Sequence, residues 1–268
     1  MTHLGTVSAL WRYPVKAMLG EQLNASLVTS AGLAGDRGYA LIDGDGRICT
    51  PKIIRKWGPV FRSRSRYLEE PDGETPALAE ITLPDGQRLL TSDQDAEARL
   101  SELVGFAARL ITEAPTPLKL ESQPVGAVPS SEEDPTVDYP VINRFFDLGS
   151  LHLLTTATLA KLRALSPGTT FDARRFRPNL VITPPNGEVG FLENDWTGKT
   201  LAIGADLRIR ILMPTVRCVV TTRSQDDLPD DMDVLRTAVT HNKANVGVYA
   251  MVEQGGRVRR GDAVEFLG

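Results

Sequence analysis

Short runs in which apolar and polar residues alternate dominate this chain and predict β-strands. Residues 6–13 alternate in this way near the start, and residues 246–252 do so near the end. Two further pairs of runs flank turn sequences: residues 38–49 enclose Asp-Gly-Asp-Gly, and residues 80–91 enclose Pro-Asp-Gly-Gln. Both segments therefore predict β-hairpins.

Helical periodicity is confined to a few segments. Apolar residues recur three to four positions apart in residues 92–105, 155–165 and 230–241, which predicts three helices. Residues 121–140 hold four prolines and an acidic run, the composition of a linker or a long exposed loop. Many short strands with few helices predict a mainly β protein with a few helices (α+β), built as two packed β-barrel-like units.

The bulk properties narrow the class of protein and of partner. The 268 residues are 41% hydrophobic and 24% charged, as in an ordinary soluble protein, and the net charge of −4 predicts no nucleic-acid or membrane partner. Two cysteines far apart in sequence argue against a disulfide framework and a four-cysteine iron–sulfur cluster. With no membrane-span or signal-peptide pattern, we expect a cytoplasmic protein.

Cys218 is the strongest candidate for a chemically active residue. It directly follows Arg217, and a thiol beside a fixed positive charge ionises readily to a thiolate, which is a nucleophile or a soft metal ligand. The alternative is a buried core cysteine, because cysteine is among the most buried residue types. Cys49 lies in a predicted hairpin and is predicted to be a buried core cysteine of this kind.

Histidines do not predict a metal site. His3, His152 and His241 are isolated in sequence and lack the paired spacing of histidine-built metal centres. His152 lies in an apolar run and is predicted to be a hydrogen-bonded core residue. A cysteine hydrolase would need one of these histidines to approach Cys218 in space.

Four cations lie at breaks in regular structure, where they are well placed to bind an anionic group such as a phosphate. They are Lys16, Arg37, Arg177 and Arg217. The alternative for each of them is a solvated surface charge.

Several separated motifs together resemble MOSC-domain proteins with their MOSC N-terminal region, and most of all the mitochondrial amidoxime-reducing component and its bacterial relatives. The motifs lie at residues 13–16, 32–37, 175–181, 191–196, 217–222, 247–250 and 260–262. The resemblance implies a MOSC N-terminal β-barrel region over residues 1–120 and a MOSC domain over residues 121–268. Residues 1–40 are candidates to pack with the second unit.

The resemblance also implies a molybdenum cofactor (Mo-molybdopterin), with Cys218 as the metal ligand and catalytic residue. Contacts with the cofactor would fall on Lys16, Arg37, Thr155, Thr156, Arg177, Asn179, Arg217 and Tyr249. Ala17 and Val216 stand where the animal reductases carry serine, so the substrate preference is expected to differ.

The function implied is reduction of the N–O bond in small N-hydroxylated compounds, with electrons from a separate ferredoxin-like or cytochrome-b5-like protein. Two alternatives remain open from the sequence. The chain could carry molybdenum cofactor or sulfur on Cys218 without turnover, or it could be a metal-free hydrolase or transferase that uses Cys218 as nucleophile.

Overall fold

A computed structural model describes residues 2–73, 77–116, 118–121, 136–139, 145 and 149–267. The strands, in chain order, are β1 Thr2–Arg12, β2 Glu21–Leu23, β3 Ala25–Thr29, β4 Gly32–Leu33, β5 Ala40–Asp43, β6 Arg47–Ile48, β7 Arg64–Tyr67, β8 Ala79–Thr82, β9 Arg88–Leu90, β10 Ala108–Ile111, β11 Leu118–Glu121, β12 Thr136–Tyr139, β13 Leu151–Thr155, β14 Leu180–Thr183, β15 Thr200–Ile203, β16 Leu207–Val216, β17 Asn245–Gln254, β18 Gly256–Arg259 and β19 Ala263–Phe266.

The helices are α1 Ile54–Arg62, α2 Ala96–Val104, α3 Thr156–Leu165 and α4 Asp233–Asn242. Short 3-10 turns cover Ala173–Phe176, Pro185–Gly187, Leu192–Trp196 and Val219–Thr222. The prediction of a mainly β protein with a few helices is confirmed. No helix in the described part of the chain is long and apolar enough to cross a membrane.

The chain forms two compact units, each discontinuous in sequence. The first unit comprises Met1–Arg12, Gln22–Ala34 and Asp147–Gly268, and the second comprises Tyr13–Glu21 and Gly35–Phe146. The domain boundary predicted between residues 120 and 121 stays a prediction. Most of the linker predicted at residues 121–140 lies outside the described residues.

A seven-stranded barrel forms the core of the first unit. Its strands follow the order β14-β13-β17-β16-β15-β19-β1, and β1 closes the ring by pairing with β14. In a barrel of this size, side chains fill the interior. Leucine, isoleucine and valine from every strand of the ring are buried there, among them Leu10, Leu153, Leu180, Ile209 and Val264.

Irregular pairing reshapes the end of β16. Its register with β17 shifts between Ile211 and Met213 and again between Pro214 and Val216. Bulges of this kind bend a strand and interrupt the alternation of its side chains. Leu212 and Met213 are consecutive and both exposed as a result, and Val216 ends the strand 69% exposed.

A second apolar cluster of the first unit joins its two helices. Leu159 and Leu162 on α3 pack with Val234 on α4 and with Phe176, and all four are buried. The helices predicted at 155–165 and 230–241 are thus present, although α4 begins at Asp233.

The second unit combines two small sheets with α1 and α2. Their strand orders are β10-β5-β6-β11-β12 and β7-β8-β9, so both predicted hairpins, β5–β6 and β8–β9, are confirmed. The helix predicted at 92–105 begins only at Ala96, because the Asp93 carboxylate accepts the Leu90 N–H at 2.7 Å in a preceding turn. Cys49 is buried in this unit's apolar core, as predicted.

Helix α1 was not predicted from the sequence. Its central Gly58 and Pro59 are poor helix formers, and proline lacks the N–H that a helix interior uses. The helix nevertheless buries Trp57, Val60 and Phe61 against the second unit's core. Burial of these large side chains outweighs the unfavourable local propensity.

Candidate functional site

Cys218 stands at the point where β16 gives way to a 3-10 turn. Its backbone is extended (φ −116°, ψ −179°) and it precedes the turn Val219–Thr222. The Cys218 carbonyl accepts hydrogen bonds from Thr221, at 3.2 Å from the backbone N–H and 3.0 Å from the hydroxyl. The side chain is exposed and forms no disulfide, so the alternative of a buried core cysteine does not hold for Cys218.

Arg217 is anchored on both its backbone and its side chain. Its N–H donates to the Ala244 carbonyl at 2.8 Å, and its Nη2 donates to the Phe176 carbonyl at 2.8 Å. The guanidinium carbon lies 5.8 Å from the centre of the Phe176 ring, within cation–π range. Its Nε is buried without a hydrogen-bond partner in the described part of the chain. A buried unpaired donor is costly, and an incoming anionic group would relieve that cost.

Arg177 adopts a backbone conformation that is uncommon for arginine. It ends the turn Ala173–Phe176 with φ +52° and ψ +50°, in the left-handed region. Such conformations persist only where the surrounding structure holds them, and they cluster at functional sites. The Arg177 carbonyl lies 3.4 Å from His152 Nδ1.

Asn179 connects the beginning of β14 to two other strands. It is 1% exposed; its Oδ1 accepts the His152 N–H at 3.0 Å, and its Nδ2 donates to the Trp11 carbonyl at 3.3 Å. These bonds hold Asn179 in place within the barrel, and its contact with a cofactor stays a prediction.

His152 is a buried core histidine with hydrogen bonds, as predicted. Its Nε2 lies 3.2 Å from the Val246 carbonyl, and its ring is 5.7 Å from the half-buried ring of Tyr249. Gly247 makes this packing possible. It has φ +83°, and a Cβ there would overlap both His152 Nε2 and the Leu153 carbonyl oxygen.

Thr155 caps helix α3 and contacts a buried acid that the sequence analysis did not single out. Its hydroxyl oxygen accepts the Thr158 N–H at 3.1 Å and its hydroxyl donates to Glu193 Oε2 at 2.7 Å. Burial raises the pKa of Glu193, although the hydroxyls of Thr155 and Thr158 partly offset that effect. Thr156 is the first residue of α3 and is half-buried. The only sequence signal for Glu193 was its place in the motif at 191–196.

Lys16 and Arg37 belong to the second unit. Lys16 Nζ donates to the Phe145 carbonyl at 2.9 Å. Arg37 has φ +49°, pairs with the fully buried Asp36, and lies 4.8 Å from the centre of the Tyr13 ring. Neither cation is a simple solvated surface charge, because each is held by neighbours within its own unit.

Arg175 lies in the motif at 175–181, but no role was predicted for it from the sequence. It is 1% exposed and donates to carbonyls in and after the turn Val219–Thr222, including that of Pro229 at 2.8 Å. Its neighbour Arg174 pairs with Asp226 and Asp227, which lie on the loop that follows the same turn. The available sequence signal was the pair of consecutive arginines, Arg174 and Arg175, at the start of the motif at 175–181.

The donor set fits a cofactor that brings its own ligands. Within the described ranges, no group of three or more histidine, cysteine, aspartate or glutamate side chains is arranged to hold a metal ion. One exposed thiol next to a guanidinium with an unpaired Nε suits a redox metal held mainly by an anionic organic group.

Known protein families and individual proteins match most of this chain. The family described as "MOSC N-terminal beta barrel domain" matches residues 4–73, and the "MOSC domain" family matches residues 144–265. The chain is 25% identical to the mitochondrial amidoxime reducing component 2 of Bos taurus, over 98% of this chain and 84% of that protein. The Homo sapiens component 2 gives the same identity and coverage, and Homo sapiens component 1 is 24% identical over 100% and 85%. The chain belongs to the MOSC-domain proteins that carry a MOSC N-terminal β-barrel domain.

Proposed function

We propose that this protein binds a molybdenum cofactor through Cys218 and reduces N-hydroxylated compounds. One observation carries the proposal: an exposed, unpaired thiol follows an arginine whose buried Nε lacks a partner among the described residues. The names of the similar amidoxime reducing components supply the reaction class. The cytoplasmic location and the electron-transfer partner expected from the sequence belong to the same proposal.

Cys218 and Arg217 of the first unit have separate roles in this proposal. Cys218 provides a thiolate ligand at the rigid end of a barrel strand, where its carbonyl is held by Thr221. Arg217 provides fixed positive charge next to that ligand in the sequence and offers a donor to a phosphate. Arg177, Asn179, Thr155, Thr156 and Tyr249, with Lys16 and Arg37, remain the proposed cofactor contacts.

The reaction has a simple balance. Reducing an N-hydroxyl group to the corresponding amine or amidine consumes two electrons and two protons and releases the oxygen as water. When bound, the cofactor supplies the two-electron redox centre. In this proposal the electrons come from a separate ferredoxin-like or cytochrome-b5-like redox protein.

The contacts of His152 argue against its serving as the base for a metal-free cysteine nucleophile. Such an enzyme needs a general base near the thiol, most often histidine. His152 instead directs its ring nitrogens at the carbonyls of Arg177 and Val246.

The proposal is tested by expressing the protein in a host that makes molybdenum cofactor. We expect bound molybdenum by elemental analysis and reduction of benzamidoxime when a chemical reductant replaces the electron donor. Cys218→Ala should abolish both, whereas Cys49→Ala, which removes the other thiol, should retain them. Benzamidoxime reduction that survives in Cys218→Ala would refute the proposal. Molybdenum bound without any turnover would instead indicate the carrier function.

A further inference from the structure

We propose that Arg175 is a positioning residue for Cys218. Its role is to hold the 3-10 turn Val219–Thr222 and the loop after it, so that the Cys218 thiol has one fixed orientation. The link to catalysis rests on the function proposed above, whereas the bracing itself does not.

All the hydrogen bonds that the Arg175 guanidinium donates within the described part of the chain go to backbone carbonyls. Nε donates to Thr170 at 3.0 Å and Nη2 to Pro229 at 2.8 Å, while Nη1 lies 3.4 Å from the carbonyls of Thr221 and Arg223. Among the described residues, no carboxylate lies within ion-pair distance of Arg175. A side chain bonded to carbonyls fixes backbone, whereas a carboxylate partner would fix only another side chain.

One residue connects this brace to Cys218. Thr221 is 1% exposed and offers its carbonyl to Arg175, and its N–H and hydroxyl both point to the Cys218 carbonyl, at 3.2 Å and 3.0 Å. The path from Arg175 to Cys218 therefore passes through a single buried threonine. Pro229 lies beyond the loop, so the same guanidinium ties both ends of the segment 221–229.

The chemistry of the side chain supports a positioning role over simple packing. Burying a guanidinium is unfavourable: desolvation lowers the pKa of Arg175, although the charges of Asp231, Asp172 and Asp230 partly offset that effect. An apolar residue of similar size would fill the same space at less cost. What only arginine offers is a planar fork whose donors reach several separate carbonyls at once.

The variants Arg175→Met and Arg175→Lys test the proposal, with Arg163→Met as the matched control. Arg163 also donates to a carbonyl, that of Phe171 at 2.6 Å, but within the described part of the chain it forms no bond to the turn Val219–Thr222. The first readout is hydrogen exchange in cofactor-free protein. We expect the amides of Thr221 and Arg223 to exchange about tenfold faster in Arg175→Met than in Arg163→Met. Arg175→Lys keeps the positive charge but lacks the planar guanidinium, so the exchange rates of these two amides should lie between those of the wild type and Arg175→Met.

The second readout is steady-state reduction of benzamidoxime by cofactor-loaded protein. We expect kcat to fall about tenfold in Arg175→Met with little change in KM, because misplacing a catalytic group affects the transition state more than substrate binding. Partial recovery of kcat in Arg175→Lys is expected.

The two readouts separate the possible failures. Wild-type exchange at Thr221 and Arg223 in Arg175→Met would overturn the proposal, as would equal acceleration in Arg163→Met. If Arg175→Met does not fold, wild-type exchange in Arg175→Lys would overturn it in the same way. Faster exchange only in the Arg175 variants, in a protein that reduces no benzamidoxime, would support the brace while removing the proposed reaction.

Discussion

Arg217 and Phe176 are joined twice: the guanidinium donates to the Phe176 carbonyl at 2.8 Å and lies 5.8 Å from the centre of its ring. Phe176 ends the 3-10 turn Ala173–Phe176, and Arg217 lies two residues before the turn Val219–Thr222, 41 positions later in the sequence. Arg175, from the turn that contains Phe176, donates in the opposite direction to Thr221. Arginine–carbonyl bonds therefore run both ways between segments 173–176 and 217–222, and Cys218 lies in the second segment.

Arg217→Gln should lower cofactor occupancy. Glutamine can replace the donor to Phe176 but not the positive charge, which we propose neutralises the cofactor phosphate. Molybdenum per protein should fall about tenfold, in line with the loss of a charge-assisted hydrogen bond. Arg210→Gln on β16, which changes an exposed arginine paired with Glu253, should keep its molybdenum. Equal occupancy in both variants would contradict the proposed role.

Val216→Ser should change substrate preference. Val216 ends β16 two residues before Cys218 and is 69% exposed, so it offers an apolar surface beside the thiol. We expect kcat/KM to fall about threefold for an aromatic N-hydroxylated substrate, as expected for a small loss of apolar contact, and to change little for a small polar one. Val239→Ser on α4, 54% exposed, is the control. Parallel changes for both substrates would count against this role.

Glu193→Gln should remove a pH dependence of stability. Burial raises the pKa of Glu193 above its ordinary value of 4.5, so the folded protein holds this proton more tightly than the unfolded chain does. The stabilisation is complete below the unfolded-state pKa and is lost as pH rises through the folded-state pKa. Wild-type stability should therefore decline over that window relative to Glu193→Gln.

Thermal unfolding of both proteins across acidic and neutral pH measures this difference. Glu188→Gln, which changes an exposed acid five residues away, should follow the wild type. Superimposable pH profiles for wild type and Glu193→Gln would show that Glu193 titrates normally.

Asp43→Asn should destabilise the β5–β6 hairpin with the opposite pH dependence. Asp43 accepts two turn amides and pairs with Lys56 at 2.5 Å; although burial alone would raise its pKa, these bonds lower it overall. The carboxylate therefore contributes stability above its unfolded-state pKa, and this is lost as pH falls. We expect a loss of about 1 kcal/mol at neutral pH in denaturant unfolding, and none in strong acid. Asp45→Asn, in the same turn but 74% exposed, should have a smaller effect.

Local patterns in the sequence were sufficient for several elements. The hairpins at β5–β6 and β8–β9 were predictable because turn residues and alternation act over a few positions. Thr155 was recognisable as the start of α3, because capping is also a local interaction. Helix α1 was not predictable, because Gly58 and Pro59 oppose it locally and only the burial of Trp57 and its neighbours supports it.

The sequence by itself determined the mainly β class and the family, and it singled out Cys218 as the candidate thiol, because alternation, turn chemistry and motif order are features of consecutive residues. Only the tertiary structure decided that Cys218 is exposed while Cys49 is buried. It also decided the hydrogen bonds of Arg175 with Thr221 and Pro229 and of Glu193 with Thr155, whose partners lie 38 to 54 positions apart in the sequence. Burial and long-range hydrogen bonds depend on which segments the closed barrel brings together, and no local pattern encodes that arrangement.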